Sequence, residues 1–127
     1  PSIQAVIDLH RDGVNENTHL VTEINGKPMA RFMFFNGLSR TKKNGPIDYL
    51  YNPYIEDNLA LTLQLKLLCD QYYPGLSRNI YLKSLRYNLH LSDKALLIEV
   101  GAQTNTLQEI LNTMEPLSVL LAKVFGV

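Results

Sequence analysis

Two apolar runs, each ending on a residue that can do chemistry, constrain the fold of this chain more than any other feature. Ile3 to Leu9 leads into His10-Arg11-Asp12, and Ala95 to Ile98 leads into Glu99-Val100-Gly101. Ile3, Ala5, Ile7 and Leu9 alternate with Gln4, Val6, Asp8 and His10, and Val6 makes the second face partly apolar too. That pattern predicts a strand covered on both faces. The second run is apolar throughout and predicts a buried strand. His10 and Glu99 then fall at the carboxyl ends of two strands, where open α/β sheets keep their active sites. A histidine that can ligate a metal and a carboxylate that can move a proton are two parts of a metallohydrolase.

Between these runs the chain alternates strand and helix signals. Thr18 to Ile24 and Pro28 to Phe35 are β-rich and flank Asn25-Gly26, a dipeptide that supplies the positive φ angles of a tight hairpin turn. Leu38 to Asn52 has little periodicity and is expected to be a long loop. The leucines at 59, 61, 63, 65 and 67 alternate like a strand, but the run from Asn58 to Tyr73 is too long for one. Its Leu, Gln, Lys and Ala content and the i, i+4 spacing of Leu59, Leu63 and Leu67 predict a helix, stopped by Pro74-Gly75. Ile80 to Leu85 is expected to be a short strand, and Thr106-Leu107-Gln108-Glu109 has capping-box spacing ahead of Ile110, Leu111 and Met114. Pro116 should kink that helix or start a new one. The order β, hairpin, α, β, β, α indicates one layered α/β domain with a mixed sheet.

Composition removes several function classes. Of 127 residues, 46% are hydrophobic and 19% charged, which fits a globular domain. Twelve Lys+Arg balance twelve Asp+Glu, so no global field recruits nucleic acid or an anionic membrane. Arg40, Lys42 and Lys43 are expected on a solvated loop. Cys69 is the only cysteine, which excludes an internal disulfide and a thiolate metal cluster; inside Leu67-Leu68-Cys69 it is a small buried hydrophobe. No apolar stretch approaches the roughly 18 residues of a membrane span. Pro1-Ser2 opens the chain without an initiator Met, which implies a piece of a longer polypeptide.

Each candidate residue also has a plainer explanation. His10 is a metal ligand or a structural histidine, with Asp8 and Asp12 on its face if the strand stays extended. Either aspartate could accept the far ring N–H; alternatively Asp12 caps a turn at Gly13 and pairs with Arg11. Glu99, following four apolar residues, would cost several kcal/mol if buried and unpaired. It serves a cation, a metal or a water, or it bridges to Arg86 or Arg78. His19 and His90 form no spaced ligand pair and are expected to be structural or superficial. Tyr49, Tyr51 and Tyr54 are expected to pack in the core or at a hinge rather than form a contact surface.

Five strings occur in one order: Ile7-Asp8-Leu9-His10-Arg11-Asp12, Ile24-Asn25-Gly26-Lys27, Asp57-Asn58-Leu59-Ala60-Leu61, Tyr73-Pro74-Gly75-Leu76-Ser77-Arg78, and Leu96-Leu97-Ile98-Glu99-Val100-Gly101 with Asn105-Thr106-Leu107. Together they resemble the carboxyl-terminal part of the stage II sporulation protein P family, which is related to zinc-dependent N-acetylmuramoyl-L-alanine amidases. The resemblance covers nearly the whole chain. It implies an amidase-like layered domain, present over 1–127 as its carboxyl-terminal part, with His10 as a zinc ligand and Glu99 as the catalytic glutamate. The other ligands, a histidine and a glutamate, would lie ahead of the equivalent of Pro1. It further implies peptidoglycan as substrate, cleaved at the muramic acid amide and also at peptide cross-links. It implies a place outside the cytoplasmic membrane at the sporulation septum, held by an amino-terminal anchor, beside a partner lytic transglycosylase and membrane partner proteins. The chain departs from the family pattern by extra residues between Gly37 and Asp57. A peptidoglycan- or partner-binding module without catalysis is the alternative, because one visible ligand cannot hold zinc tightly.

Overall fold

The computed structural model describes residues 2–127. In chain order the elements are β1 (Val6–Asp12), β2 (Val21–Ile24), β3 (Lys27–Ala30), β4 (Phe32–Gly37), β5 (Arg40–Thr41), β6 (Gly45–Pro46), a 3-10 turn (Asp48–Leu50), α1 (Ile55–Tyr72), β7 (Tyr81–Lys83), β8 (Ala95–Ala102) and α2 (Leu107–Phe125). Four strands form a mixed sheet in the order β1-β8-β4-β7. β1 runs parallel to β8, β8 antiparallel to β4, and β4 parallel to β7. The mixed α/β architecture expected from the element order is present.

Strand alternation sorts the core into two faces. Phe32 and Phe34 of β4 and Leu96, Ile98 and Val100 of β8 face the helices, packing on Leu61, Leu65 and Cys69 of α1 and Leu117 and Leu120 of α2. Met33, Phe35, Ala95 and Leu97 point the other way, onto Leu89 and Val6. A loop rather than a helix closes that second face. Asn58 fastens the loop to α1, donating through Nδ2 to the carbonyls of Leu89 (2.7 Å) and Ser92 (3.1 Å) and accepting from the N–H of Ala95 (2.9 Å).

The hairpin forms at Asn25-Gly26, both residues having positive φ (51° and 78°). The strand expected to continue to Phe35 breaks at Arg31: β3 ends with the hairpin and β4 joins the main sheet. The first strand is not covered on both faces. Among the described residues β1 pairs only with β8, at the edge of the sheet, and Ile7 and Leu9 are 42% and 55% exposed on the helix side. The α1 helix is present, but its buried stripe is Asn58, Leu61, Thr62, Leu65 and Cys69; Leu63 and Leu67 face solvent. Alternating leucines contain two i, i+4 series, and the one that meets the sheet is Leu61, Leu65 and Cys69 rather than Leu59, Leu63 and Leu67. Burial pushes the Cys69 thiol up, consistent with its packing role.

Pro116 does not end α2, which continues through it from Leu107 to Phe125. A proline there removes one helix hydrogen bond, and the buried Pro116, Leu117 and Leu120 hold this stretch of the helix against the core. Tyr49 and Tyr51 lie on the surface, 81% and 72% exposed, rather than in the core. Arg40, Lys42 and Lys43 are exposed, as expected of a solvated loop. No helix among the described residues is long and apolar enough to cross a membrane.

The α2 cap is more than a box. Thr106 Oγ1 accepts from the Glu109 N–H, and Glu109 Oε2 accepts from the Thr106 N–H, from Asn105 Nδ2 (2.8 Å) and from His19 Nε2 (2.8 Å). Burial alone would raise the Glu109 carboxyl; the bonds from His19, Asn105 and Thr106 outweigh it and hold the group below the usual carboxylate range. A depressed carboxylate contributes stability that is present above its unfolded pKa and lost as pH falls through the folded value. Thermal melts of the wild-type chain should therefore lose stability between neutral and acid pH more steeply than those of Glu109→Gln. Equal slopes would remove Glu109 from the account.

Candidate active site at the carboxyl ends of two parallel strands

Pairing of β1 with β8 sets His10 directly opposite Glu99. Neighbouring strands lie roughly 4.8 Å apart, and paired residues project to the same face. Antiparallel pairing with β4 puts Met33 on the other side of Glu99. The row His10, Glu99, Met33 therefore lies on the sheet face away from the helices. Just beyond it the register slips: His10 pairs with Glu99 but Asp12 with Ala102, so β8 carries an extra residue. Gly101 sits in that bulge at φ 58°, where a Cβ would come within 2.5 Å of Asn105 Oδ1. That oxygen accepts from the Ala102 N–H (2.8 Å), so the close approach which requires glycine also fixes the turn into α2.

The surroundings of His10 meet one expectation in part. Asp12 Oδ1 accepts from the Gly13 N–H (2.7 Å), the turn cap foreseen, but Oδ2 accepts from Arg78 Nη1 (2.8 Å) rather than from Arg11. Asp8 accepts from Asn88 Nδ2 (2.9 Å). Neither aspartate hydrogen-bonds to the His10 ring, which is exposed. Gln103 stitches the loop after β1 to the loop after β8, accepting from the Val14 N–H (3.0 Å) and donating to the Val14 carbonyl.

Glu99 forms no salt bridge to Arg86 or Arg78: Arg78 is committed to Asp12, and Arg86 donates to the Tyr51 carbonyl. Its Oε2 is shut off from solvent with no hydrogen-bond partner among the described residues. Burial, and then the Asp12 charge, raise the Glu99 carboxyl above its usual range; His10 and Arg78 oppose them with smaller effect. A carboxyl with an orphaned oxygen and a raised proton affinity is suited to taking up and giving back a proton.

Whether zinc fits these residues turns on the donor set. No group of three or more His, Cys, Asp or Glu side chains among the described residues could share a metal ion. An exposed imidazole beside an orphaned carboxylate oxygen fits one ligand and one proton carrier, short of the three protein ligands such a site uses.

His19 is bound to Glu109, and His90 is half-buried. Two site residues escaped the sequence reading in these roles: Met33 and Arg78. Arg78 stood within a recognised string but was weighed only as a partner for Glu99.

The architecture is that of a mixed α/β domain with a histidine and a glutamate side by side in the carboxyl-terminal halves of adjacent parallel strands. Comparison with known families gives it a place. The family model for stage II sporulation protein P matches residues 1–125, and the chain belongs to that family of sporulation proteins. It is 33% identical over 114 residues to stage II sporulation protein P of Bacillus subtilis (strain 168), an alignment covering 86% of this chain and 25% of that protein. The chain thus spans about a quarter of that relative's length. No solved structure matches it.

Proposed function

We propose that this chain carries the catalytic glutamate and one zinc-binding histidine of a peptidoglycan hydrolase acting in sporulation, which cleaves the amide between muramic acid and the stem peptide. The observation that carries this reading is Glu99, with an orphaned buried oxygen, placed in register with His10. His10 would hold the metal through one ring nitrogen, the remaining ligands coming from residues ahead of Pro1. Zinc, when bound, supplies a Lewis acid and lowers the pKa of its water to roughly 7. Glu99 takes the proton of the attacking water and delivers it to the leaving amine. The Asp12–Arg78 ion pair holds the rim of the site while Gln103 ties the two loops together. The same reading extends to peptide cross-links as a second substrate, to a position outside the cytoplasmic membrane at the septum under an amino-terminal anchor, and to action beside a lytic transglycosylase and membrane partners. The alternative reading is a peptidoglycan- or partner-binding module, in which His10 and Glu99 would contact a ligand without cleaving it.

Peptidoglycan digested by the longer protein that carries this sequence should release stem peptides with free alanine amino termini, and chelation should stop the release. His10→Ala should lower zinc content and abolish hydrolysis together, and the 127-residue chain alone should lose zinc on dialysis against a chelator. Peptidoglycan left intact by the folded, zinc-supplied protein would leave the binding module as the function.

A further inference from the structure

Beyond Met33, on the far side of Glu99 from His10, lies a cleft of about 320 Å³ lined by Arg31, Met33, Arg78, Asn79, Ile80 and Tyr81. Its polar lining is two guanidinium groups, one amide and one phenol, with no acidic side chain. Each arginine is already held by one bond: Arg31 Nε donates to the Gly75 carbonyl (2.9 Å) and Arg78 Nη1 to Asp12 (2.8 Å). A guanidinium has five N–H donors, so each keeps four without a partner among the described residues. Both side chains are half-buried. Fixed forks of this kind match the two oxygens of a carboxylate, and Met33, Ile80 and Tyr81 give the cleft an apolar lining for the chain that bears it.

We propose that this cleft binds a carboxylate of a peptide substrate, clamped between Arg31 and Arg78, and so sets which bond lies over Glu99. The proposal rests on the peptidoglycan reading for the peptide's identity, but binding can be measured without turnover. Met33, in the wall of the cleft, is paired directly with Glu99 across one inter-strand spacing of roughly 4.8 Å. A carboxylate held there places a bond one or two residues away within reach of Glu99, while its charge stays off the glutamate.

The test is titration of this chain with L-Ala-γ-D-Glu-L-Lys-D-Ala and with the same peptide having both carboxylates amidated, followed by backbone amide NMR. The free acid should bind about tenfold more tightly, with shifts at Arg78 and Asn79. Arg31→Gln should erase the difference between the two peptides, and Arg31→Lys should keep part of it. Equal binding of the two peptides to the wild-type chain would overturn the proposal even if every variant failed to fold. Acetate or inorganic phosphate displacing the peptide at equal concentration would also overturn it. A carboxylate preference in a protein that never cleaves peptidoglycan would sink the hydrolase reading alone, and cleavage indifferent to amidation would sink the clamp alone.

Discussion

Glu99→Gln is expected to stop the peptidoglycan hydrolysis proposed for the longer protein that carries this sequence, while leaving its fold and any bound zinc in place. Glutamine keeps the size of the side chain and can still hydrogen-bond, but it cannot accept a proton, so turnover should fall by roughly 10²- to 10⁴-fold. Stability should hold or rise. Glu99 is raised in proton affinity because burial penalises its charge, and a neutral amide in the same place removes that penalty. The measurement pairs metal analysis and a thermal melt with muropeptide release. A variant that digests at the normal rate would leave the mechanism without its proton carrier, and one that unfolds would make Glu99 a structural residue.

Asn58→Ala should cause the largest loss of stability, about 3 kcal/mol, because it strips partners from two carbonyls and one N–H in the interior. In a domain of this size that corresponds to a fall of roughly 10 °C in Tm. The damage is also directional. Asn58 joins α1 to the loop closing the second sheet face and to the first residue of β8, so hydrogen exchange should quicken at Leu89 and Ala95 before it does in α2. A melting temperature within a degree or two of wild type would show that water replaces all three bonds without cost.

What was legible in the sequence was local. Asn25-Gly26 specifies a turn through its own φ preference, and Thr106 with Glu109 specifies a helix start through two bonds within four residues. Ile7 and Leu9 misled because hydrophobicity records a preference for burial, not whether a layer covers the strand. The leucines of α1 misled for a related reason: only the sheet decides which side of a helix becomes the inside. Strand-end positions for His10 and Glu99 could be read separately. Their adjacency could not, since it depends on the register between β1 and β8. The Asp12–Arg78 pair spans 66 residues and carries no local signal at all.

The two strands that bring His10 to Glu99 come from near opposite ends of this sequence. Joining them closes almost the whole chain into one loop, and contacts of such long separation form late in folding. During synthesis His10 has no partner until β8 has been made more than eighty residues later. The hairpin and the packing of α1 on β4 can be in place before that, whereas the pair that would do the chemistry cannot. The His10–Glu99 pair is therefore assembled only once β8 is in place, and a polypeptide cut short before Ala95 would hold the histidine without the glutamate proposed to move the proton.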